Sequence, residues 1–232
     1  MKLALATRFQ NEEKWLDLHM RYMRPAVDGV VAIDGGSKDK SAKVVRGMGG
    51  VVAKRAFDWD FGAQSNALLD LARQEGYDAL LCCDPDECVD VDDIERLRGV
   101  LESFDNVQMW LLHFIETRGQ VSTVWVNDRQ VRLYRLHPDT HYQGRLHERL
   151  VTPGRVAYTD YRVYHYGVLE DLETRSLQWA NYDRLAVGLP VYAKYDDLPE
   201  AARLKEYPPS EVYRGRQPLD PEVIGWRAPL EK

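Results

Sequence analysis

Residues 80–93 read LLCCDPDECVDVDD, an apolar run that meets six acidic residues. The acids form two sets, one directly after the apolar run and one a few residues later: Asp84, Asp86 and Glu87, then Asp90, Asp92 and Asp93. Carboxylates held close together in a partly desolvated place need a cation, so the first set predicts one at the end of a buried strand. The second set precedes apolar residues at helical spacing and predicts the first turn of a helix.

The apolar run is the fourth of its kind in the first half of the chain. The four runs are KLALAT (2–7), GVVAID (29–34), GVVAKRA (50–56) and YDALLCCD (77–84). The first is followed by Asn11, Glu12 and Glu13 and a helical pattern, which predicts a capped helix. Continuous apolar strands that alternate with helices indicate parallel strands covered on both faces. We therefore expect a doubly wound α/β sheet, in which ligands bind at the carboxyl ends of the strands.

The second half of the chain has a different pattern. Residues 107–117, 122–127, 129–136 and 155–167 are closely spaced strand-like runs, and residues 169–186 show a helical pattern. The lack of helices between these runs predicts antiparallel strands that extend the sheet. From Gly188 onward prolines become frequent, which indicates an irregular segment that packs on the domain.

Composition limits the class of protein. The chain has 232 residues, of which 44% are apolar, enough for one sizeable core. The net charge of -6 disfavours a protein that grips nucleic acid with its whole surface. No apolar run could span a bilayer, and charge comes too early for a signal peptide, so we expect a cytoplasmic location. Three clustered cysteines without a CxxC pair suit reduced thiols better than disulfides or zinc.

Asp84 and Asp86 favour a hard cation. Oxygen ligands select Mg²⁺ or Mn²⁺, and an ion held by one or two carboxylates keeps positions for substrate phosphates. A solvated turn or helix cap is an alternative reading of the same residues. A calcium loop is another, since Asp84, Asp86 and Glu95 fall at its first, third and twelfth positions, but Cys88 and Val89 stand where it needs an oxygen ligand and a glycine.

Four motifs in order resemble glycosyltransferase family 2, which has the GT-A fold. They are NEE (11–13), DGGSKD (34–39), FDWDFGAQSNAL (57–68) and DPDE (84–87). The resemblance covers about residues 2–167 and lies in order and spacing. It implies a mostly parallel sheet flanked by helices, with antiparallel strands added in the second half. It divides the chain into a GT-A-like domain over 1–187, with a nucleotide-sugar half (1–105) and an acceptor half (106–187), and a C-terminal extension over 188–232.

The resemblance also implies roles for single residues. Asp34 would bind the base or ribose of the donor, and the backbone near Thr7 and Arg8 would line the nucleoside pocket. Asp84 and Asp86 would hold the Mn²⁺ or Mg²⁺ ion that bridges the donor diphosphate. The full donor set implied is Thr7, Arg8, Glu12, Asp34, Asn66 and Asp84. The third motif departs from the family pattern, because many relatives carry Arg before the asparagine and this chain has Ser65. Lys40, Lys54 and Arg55 could each replace that arginine as the cation that binds phosphate, and the sequence does not rank them.

Two later segments extend the resemblance. RLYRLHPDTHYQGRLHERL (132–150) and VYHYG (163–167) are similar to an arginine-rich strand with a G-x-I-H-E-like sequence and a later H-Y-G in part of the family. Glu148 would be the catalytic base for displacement with inversion. Its alternative is a surface carboxylate paired with Arg145 or Arg149. His165 would complete the metal site with Asp84 and Asp86, or else be a core histidine with satisfied nitrogens.

The leading hypothesis is a metal-dependent, inverting glycosyltransferase that uses a nucleotide-diphosphate sugar, with a UDP-sugar the favoured donor. The acceptor is open among small molecules, glycans, peptides and modified nucleic-acid bases. Two alternatives are a nucleotidyltransferase on a related fold and a catalytically inert sugar-nucleotide-binding module.

Overall fold

The computed structural model describes residues 1–117, 120–166, 172–186, 188–190 and 195–199. It contains ten strands: β1 Leu3–Phe9, β2 Gly29–Asp34, β3 Val51–Lys54, β4 Ala79–Cys82, β5 Glu87–Val89, β6 Asn106–Thr117, β7 Gln120–Arg135, β8 His141–Gln143, β9 Arg149–Val151 and β10 Val156–His165. Five α-helices accompany them: α1 Glu13–Met23, α2 Ser41–Gly47, α3 Phe61–Gln74, α4 Val91–Ser103 and α5 Leu172–Ala186.

Eight strands form one mixed sheet in the order β3-β2-β1-β4-β7-β6-β10-β5. The four apolar runs of the first half are the neighbouring parallel strands β3, β2, β1 and β4, as predicted. Alternate residues of β1 enter two separate cores: Leu3 and Leu5 pack with α1 and α4, whereas Ala4 and Ala6 pack with α3. The sheet is therefore covered on both faces, which is why its central strands need no polar side.

The first helix is capped by a distant loop. The prediction that Asn11 leads into a capped α1 is correct for the helix, but the caps come from the segment after β2. The amide of Glu12 donates to Oγ of Ser41 at 2.8 Å, and the amide of Glu13 donates to Oδ2 of Asp39 at 3.1 Å. Asn11 has a left-handed backbone with φ 60 and accepts from the Lys38 amide. The NEE and DGGSKD motifs thus form one structural unit.

The second half differs from the prediction in two ways. The runs at 122–127 and 129–136 belong to the single strand β7, which forms a long antiparallel hairpin with β6. The run at 155–167 forms β10, which lies parallel to β6 and not antiparallel. The reason is the excursion from residue 136 to 155, which contains the small β8-β9 sheet and returns the chain beside the start of β6, where the Asn106 amide bonds to Arg155 O.

Strand β5 carries the acidic turn to the far edge of the sheet. The chain leaves β4, turns through Asp84–Asp86 and pairs with the end of β10 in antiparallel register, with Glu87 opposite His165. Helix α4 then begins where the second acidic set predicted, and the Asp90 side chain accepts from the Asp92 amide. The opening stretch is therefore divided into a turn and a helix start, as its two sets of acids indicated.

The structure describes only part of two predicted elements in the C-terminal region. The helix at 169–186 is α5 over the described part, whereas the C-terminal extension from residue 200 onward lies outside the described residues. Cys82, Cys83 and Cys88 are free thiols, and burial raises the pKa of each. Across the described segments, no helix has the length and apolar character needed to cross a bilayer.

Candidate active site

The motif residues meet at one open cavity of about 2440 Å³ along the carboxyl ends of β1 and β4. Typical small-molecule pockets measure roughly 300–1,000 Å³, so this cavity has room for two substrates together. Nine residues were predicted to act in catalysis, donor binding or metal binding, and six of them line it: Arg8, Glu12, Asp84, Asp86, Glu148 and His165. Thr7, Asp34 and Asn66 do not line it.

Asp34 shapes the loop after β2. Its carboxylate is 2% exposed, and Oδ1 accepts from the amides of Gly36 at 2.9 Å and Ser37 at 2.7 Å. A carboxylate oxygen that accepts two backbone amides fixes a turn. The structure therefore gives Asp34 a local role in the DGGSKD loop, and its contact with a donor base or ribose stays a prediction.

Asn66 and Thr7 also serve the scaffold. Both ends of the Asn66 amide bond to the backbone of Tyr142, at 2.9 Å and 2.8 Å, and so fix β8 against α3. Thr7 is 1% exposed, and its hydroxyl has no partner among the described residues. Neither residue lines the cavity, and the donor-binding role given to both stays a prediction.

Arg8 connects three elements at the centre of the cavity. Its Nη1 donates to Oε1 of Glu148 at 2.5 Å and to Oγ of Ser65 at 2.5 Å, and its Nη2 lies 3.4 Å from Oδ1 of Asp84. Burial opposes the charge of the guanidinium, but the two carboxylates outweigh it and raise the pKa of Arg8 further above its ordinary value. Arg8 therefore stays cationic and joins the end of β1 to Glu148, the predicted catalytic base, and to Asp84, a predicted metal ligand.

Glu148 is not a surface carboxylate. Its side chain is 13% exposed, and its ion pair is with Arg8; Arg145 instead donates to the backbone oxygens of Asp58 and Trp59. Both contacts of Glu148 fall on Oε1, from Arg8 and from the Ser65 hydroxyl at 3.1 Å. Within the described segments no partner of Oε2 is found, and Glu148 is one of the residues that line the cavity. The geometry leaves one carboxylate oxygen available to a ligand.

Glu87 anchors the acidic turn from beneath. Its carboxylate is 3% exposed, pairs with Arg132 at 2.6 Å, and accepts from the Asp84 amide at 2.9 Å. Burial raises the pKa of Glu87, and Arg132 acts in the opposite direction. The Glu87 carbonyl also accepts from Nδ1 of His19, because a carbonyl cannot donate. Burial lowers the pKa of His19 to about 4, so this histidine is neutral.

Asp86 and His165 form a close pair. Oδ2 of Asp86 lies 3.0 Å from Nε2 of His165, and Nδ1 of His165 lies 2.7 Å from Nδ1 of His113. Burial disfavours the His165 cation, but Asp86 outweighs it, and the pKa of His165 is raised. The alternative of a core histidine is only partly correct, since both ring nitrogens of His165 are bonded but its side chain is 21% exposed and lines the cavity.

The same pair fits a divalent ion. Two neighbouring ligands of an octahedral ion, each about 2.1 Å from it, lie about 3 Å apart, as Asp86 Oδ2 and His165 Nε2 do. If Nε2 holds an ion, Nδ1 must carry the proton and donate it to His113, which fixes the tautomer. Asp84 stands apart, toward Arg8, and in the described chain no three His, Cys, Asp or Glu side chains surround one point.

An aromatic loop closes one side of the cavity. Phe57 packs against Trp59 in a tilted arrangement and against Phe61 edge to face, with ring centroids 5.3 Å and 4.9 Å apart, and Trp59 has a left-handed backbone with φ 61. This loop docks on residues 144–148, where the Phe61 amide donates to Arg145 O at 2.9 Å. The W-x-x-D-F-like motif therefore positions the segment that carries Glu148.

Three functional contacts were not predicted from the sequence. Ser65, Arg132 and His113 each bond a residue that was predicted, namely Glu148, Glu87 and His165. The arginine-rich strand hinted at Arg132. Nothing in the pattern singled out Ser65, which looked like a departure from the family, and His113 is one residue of a strand whose neighbour β10 could not be known in advance.

Comparison with known proteins supports the fold. Neither the protein-family models nor the curated proteins give a match. Among solved structures, this chain is similar to that of residues 1–349 of TarS from S. aureus in complex with UDP. The match covers 88% of this chain and 68% of the TarS chain, at 15% sequence identity and a TM-score of 0.51. The longer TarS structure matches at the same identity and score, and the present chain spans 41% of it. At this identity the likeness is one of fold alone, and it is the GT-A-like fold.

A second protein matches a smaller part. It is glucosyl-3-phosphoglycerate synthase from Mycobacterium tuberculosis, solved with Mn²⁺, UDP and glucosyl-3-phosphoglycerate. The match covers 47% of this chain and 44% of the synthase chain at 19% identity. Its TM-score of 0.39 is too low to support an argument.

Proposed function

We propose that this protein is an inverting glycosyltransferase that moves a sugar from a nucleotide-diphosphate sugar, with a UDP-sugar favoured, to a nucleophile on an acceptor. The observation that carries the proposal is the meeting of Glu148 with the Asp84–Asp86 turn and His165 in one cavity large enough for two substrates. The likeness of fold to TarS bound to UDP supports the donor class. Membership of family 2 and a cytoplasmic location remain predictions from the sequence.

Glu148 would act as the general base. An acceptor hydroxyl or thiol attacks the anomeric carbon as the bond from that carbon to the diphosphate oxygen breaks, and the acceptor proton passes to Oε2 of Glu148. Attack from the face opposite the leaving group inverts the configuration. General base catalysis of this kind contributes roughly 10²–10⁴-fold to a rate, so loss of the carboxylate should be costly while donor binding survives.

Asp86 and His165 would hold the divalent ion. When bound, Mn²⁺ or Mg²⁺ stabilises the negative charge that develops on the leaving diphosphate. Two protein ligands leave other positions for phosphate oxygens and water, which suits Mg²⁺ in particular. The Asp84 side chain is 42% exposed beside Arg8 and would act on the donor directly or through a water.

Calorimetric titration with UDP, with and without Mn²⁺, tests the proposal. We expect UDP to bind the wild-type protein, more tightly in the presence of Mn²⁺. Asp86→Ala should remove the effect of Mn²⁺, whereas Glu148→Gln should keep it and suppress release of UDP from a UDP-sugar. Wild-type protein that binds no UDP under either condition would refute the donor class, and an unchanged Mn²⁺ effect in Asp86→Ala would remove Asp86 from the metal site.

A further inference from the structure

The guanidinium of Arg8 lies where two halves of the site meet. Besides Glu148 and Asp84, it contacts α3 twice, through the Ser65 hydroxyl at 2.5 Å and the Phe61 carbonyl at 3.3 Å. Its side chain is 23% exposed, so the charge is held mostly by protein groups. The separation along the chain is large, since Arg8 and Glu148 are 140 residues apart.

The contacts of Arg8 are unequal. The Nη1 atom is 2.5 Å from Glu148 Oε1, whereas Nη2 is 3.4 Å from Asp84 Oδ1. Asp84 is 42% exposed and Glu148 is 13% exposed, and an exposed charge pair at long distance is weak. Asp84 can therefore turn toward a ligand without releasing the bond between Arg8 and Glu148.

The carboxylate of Glu148 is held by one oxygen only. Arg8 and Ser65 both bond to Oε1, no partner of Oε2 is found in the described chain, and Glu148 lines the cavity. A general base has to present a lone pair to the acceptor proton in a fixed direction. Anchoring Oε1 from two sides with charge-assisted and hydroxyl hydrogen bonds fixes that direction.

We infer that Arg8 is a positioning residue that acts through Glu148, by fixing Oε1 so that Oε2 faces the acceptor. This inference rests on the proposed function. The inference also bears on which cation replaces the arginine that many relatives carry where this chain has Ser65. Lys40 pairs with Glu13 and Arg55 pairs with Asp58, both on the surface. Arg8 is the cation that reaches the Ser65 hydroxyl. A guanidinium from β1 therefore lies beside position 65, where many relatives carry an arginine.

A double-mutant cycle separates action through Glu148 from direct action on the donor. The variants are Arg8→Gln, Glu148→Gln and the double variant, and the readout is release of UDP from UDP-glucose, UDP-galactose and UDP-N-acetylglucosamine, with Mn²⁺ and water as acceptor. We expect Arg8→Gln to lower kcat at least tenfold and to change the Kd for UDP less than threefold. In the Glu148→Gln background the same change should alter kcat less than twofold.

Two results would overturn the inference. One is an equal further loss of kcat when Arg8→Gln is added to Glu148→Gln, since the two residues would then act independently. The other is a loss of UDP affinity above tenfold in Arg8→Gln, which would make Arg8 a donor ligand instead. Arg8→Lys provides a second variant if Arg8→Gln folds poorly; it keeps the charge but not the fork, and it should fall between the wild type and Arg8→Gln.

A rescue variant tests the geometry. Arg8→Ala with Ser65→Arg supplies a guanidinium from α3, into space freed by the loss of the Arg8 side chain, and should release UDP at least tenfold faster than Arg8→Ala alone. Equal rates in the two proteins would count against the inference.

Thermal unfolding of the variants in the Arg8 and Glu148 cycle needs no substrate. The losses in Tm caused by the two single substitutions should be less than additive in the double variant. Additive losses would refute the pairing, whereas absence of UDP binding in the wild type would refute only the proposed function.

Discussion

Replacement of Glu87 by glutamine tests whether the acidic turn is anchored from below. The Glu87 and Arg132 side chains are 3% and 14% exposed and lie 2.6 Å apart. Glutamine keeps the shape and an oxygen that can accept from the Asp84 amide, so the variant removes the charge with little else. Arg132 is then left as a buried cation that has lost its counter-ion.

The expected loss follows from that burial. Breaking a buried ion pair by removal of one partner costs about 3–5 kcal/mol, because the remaining charge is desolvated without compensation. For a chain of this size 1 kcal/mol corresponds to a change in Tm of roughly 2–4 °C. Glu87→Gln should therefore unfold about 6–20 °C below the wild type.

Thermal unfolding followed by circular dichroism measures this loss, with Glu95→Gln as the matched control. Glu95 is 89% exposed and lies 3.7 Å from Arg98, and an exposed pair of this kind contributes about 0–1 kcal/mol. Adding Arg132→Met to Glu87→Gln removes the stranded charge and should return part of the lost Tm. A Glu87→Gln protein as stable as Glu95→Gln, or a double variant less stable than Glu87→Gln, would show that Arg132 is not held by this pair.

Two further predictions concern backbone packing and pH. A Cβ at Gly62 would lie 2.1 Å from Gly144 O, so Gly62→Ala should separate α3 from the loop that carries Glu148 and lower both Tm and the rate of UDP release. Gly99→Ala on α4 is the control, because a Cβ there would have nothing within 4 Å. It should leave the release rate unchanged and gain roughly 0.5–1 kcal/mol of stability. His19 is neutral when folded because its pKa is about 4. The unfolded chain binds the proton from about pH 6.5 downward, so wild-type stability should fall by about 3 kcal/mol between pH 6.5 and 4, and His19→Asn should show that much less pH dependence in urea unfolding.

The fold of the first half could be predicted because its signals are local. Each of the four parallel strands is a continuous apolar run, and the polar group that ends it is adjacent in sequence. Helix α4 could be predicted equally well, since Asp90 and the acids after it indicate a helix start within a few residues. Periodicity and capping operate over one or two turns, which is the range that a single sequence reports.

The contacts of the site were less predictable because they are not local. The pairing of β5 with the end of β10 joins Glu87 to His165, and no property of either segment specifies the other as its partner. The direction of β10 depended on the path of residues 136–155. Asn66 was identified as a motif residue, but its two bonds to the backbone of Tyr142 can be seen only when α3 and β8 are placed together.

The acidic cluster predicted a positive charge, and the protein itself supplies part of it. Arg132 neutralises Glu87 and Arg8 neutralises Glu148, so two of the acids at this edge are satisfied without any ion. Asp86 with His165 remains as the part of the cluster that fits a divalent ion. Because Glu87 and Glu148 are already paired, removal of the ion with a chelator should weaken UDP binding and leave Tm nearly unchanged, whereas loss of either arginine should lower Tm directly. The sequence predicted positive charge for the acidic cluster as a whole. In the structure Arg8 and Arg132 supply part of that charge and stabilise the fold, and a divalent ion at Asp86 and His165 would supply the rest for the proposed chemistry.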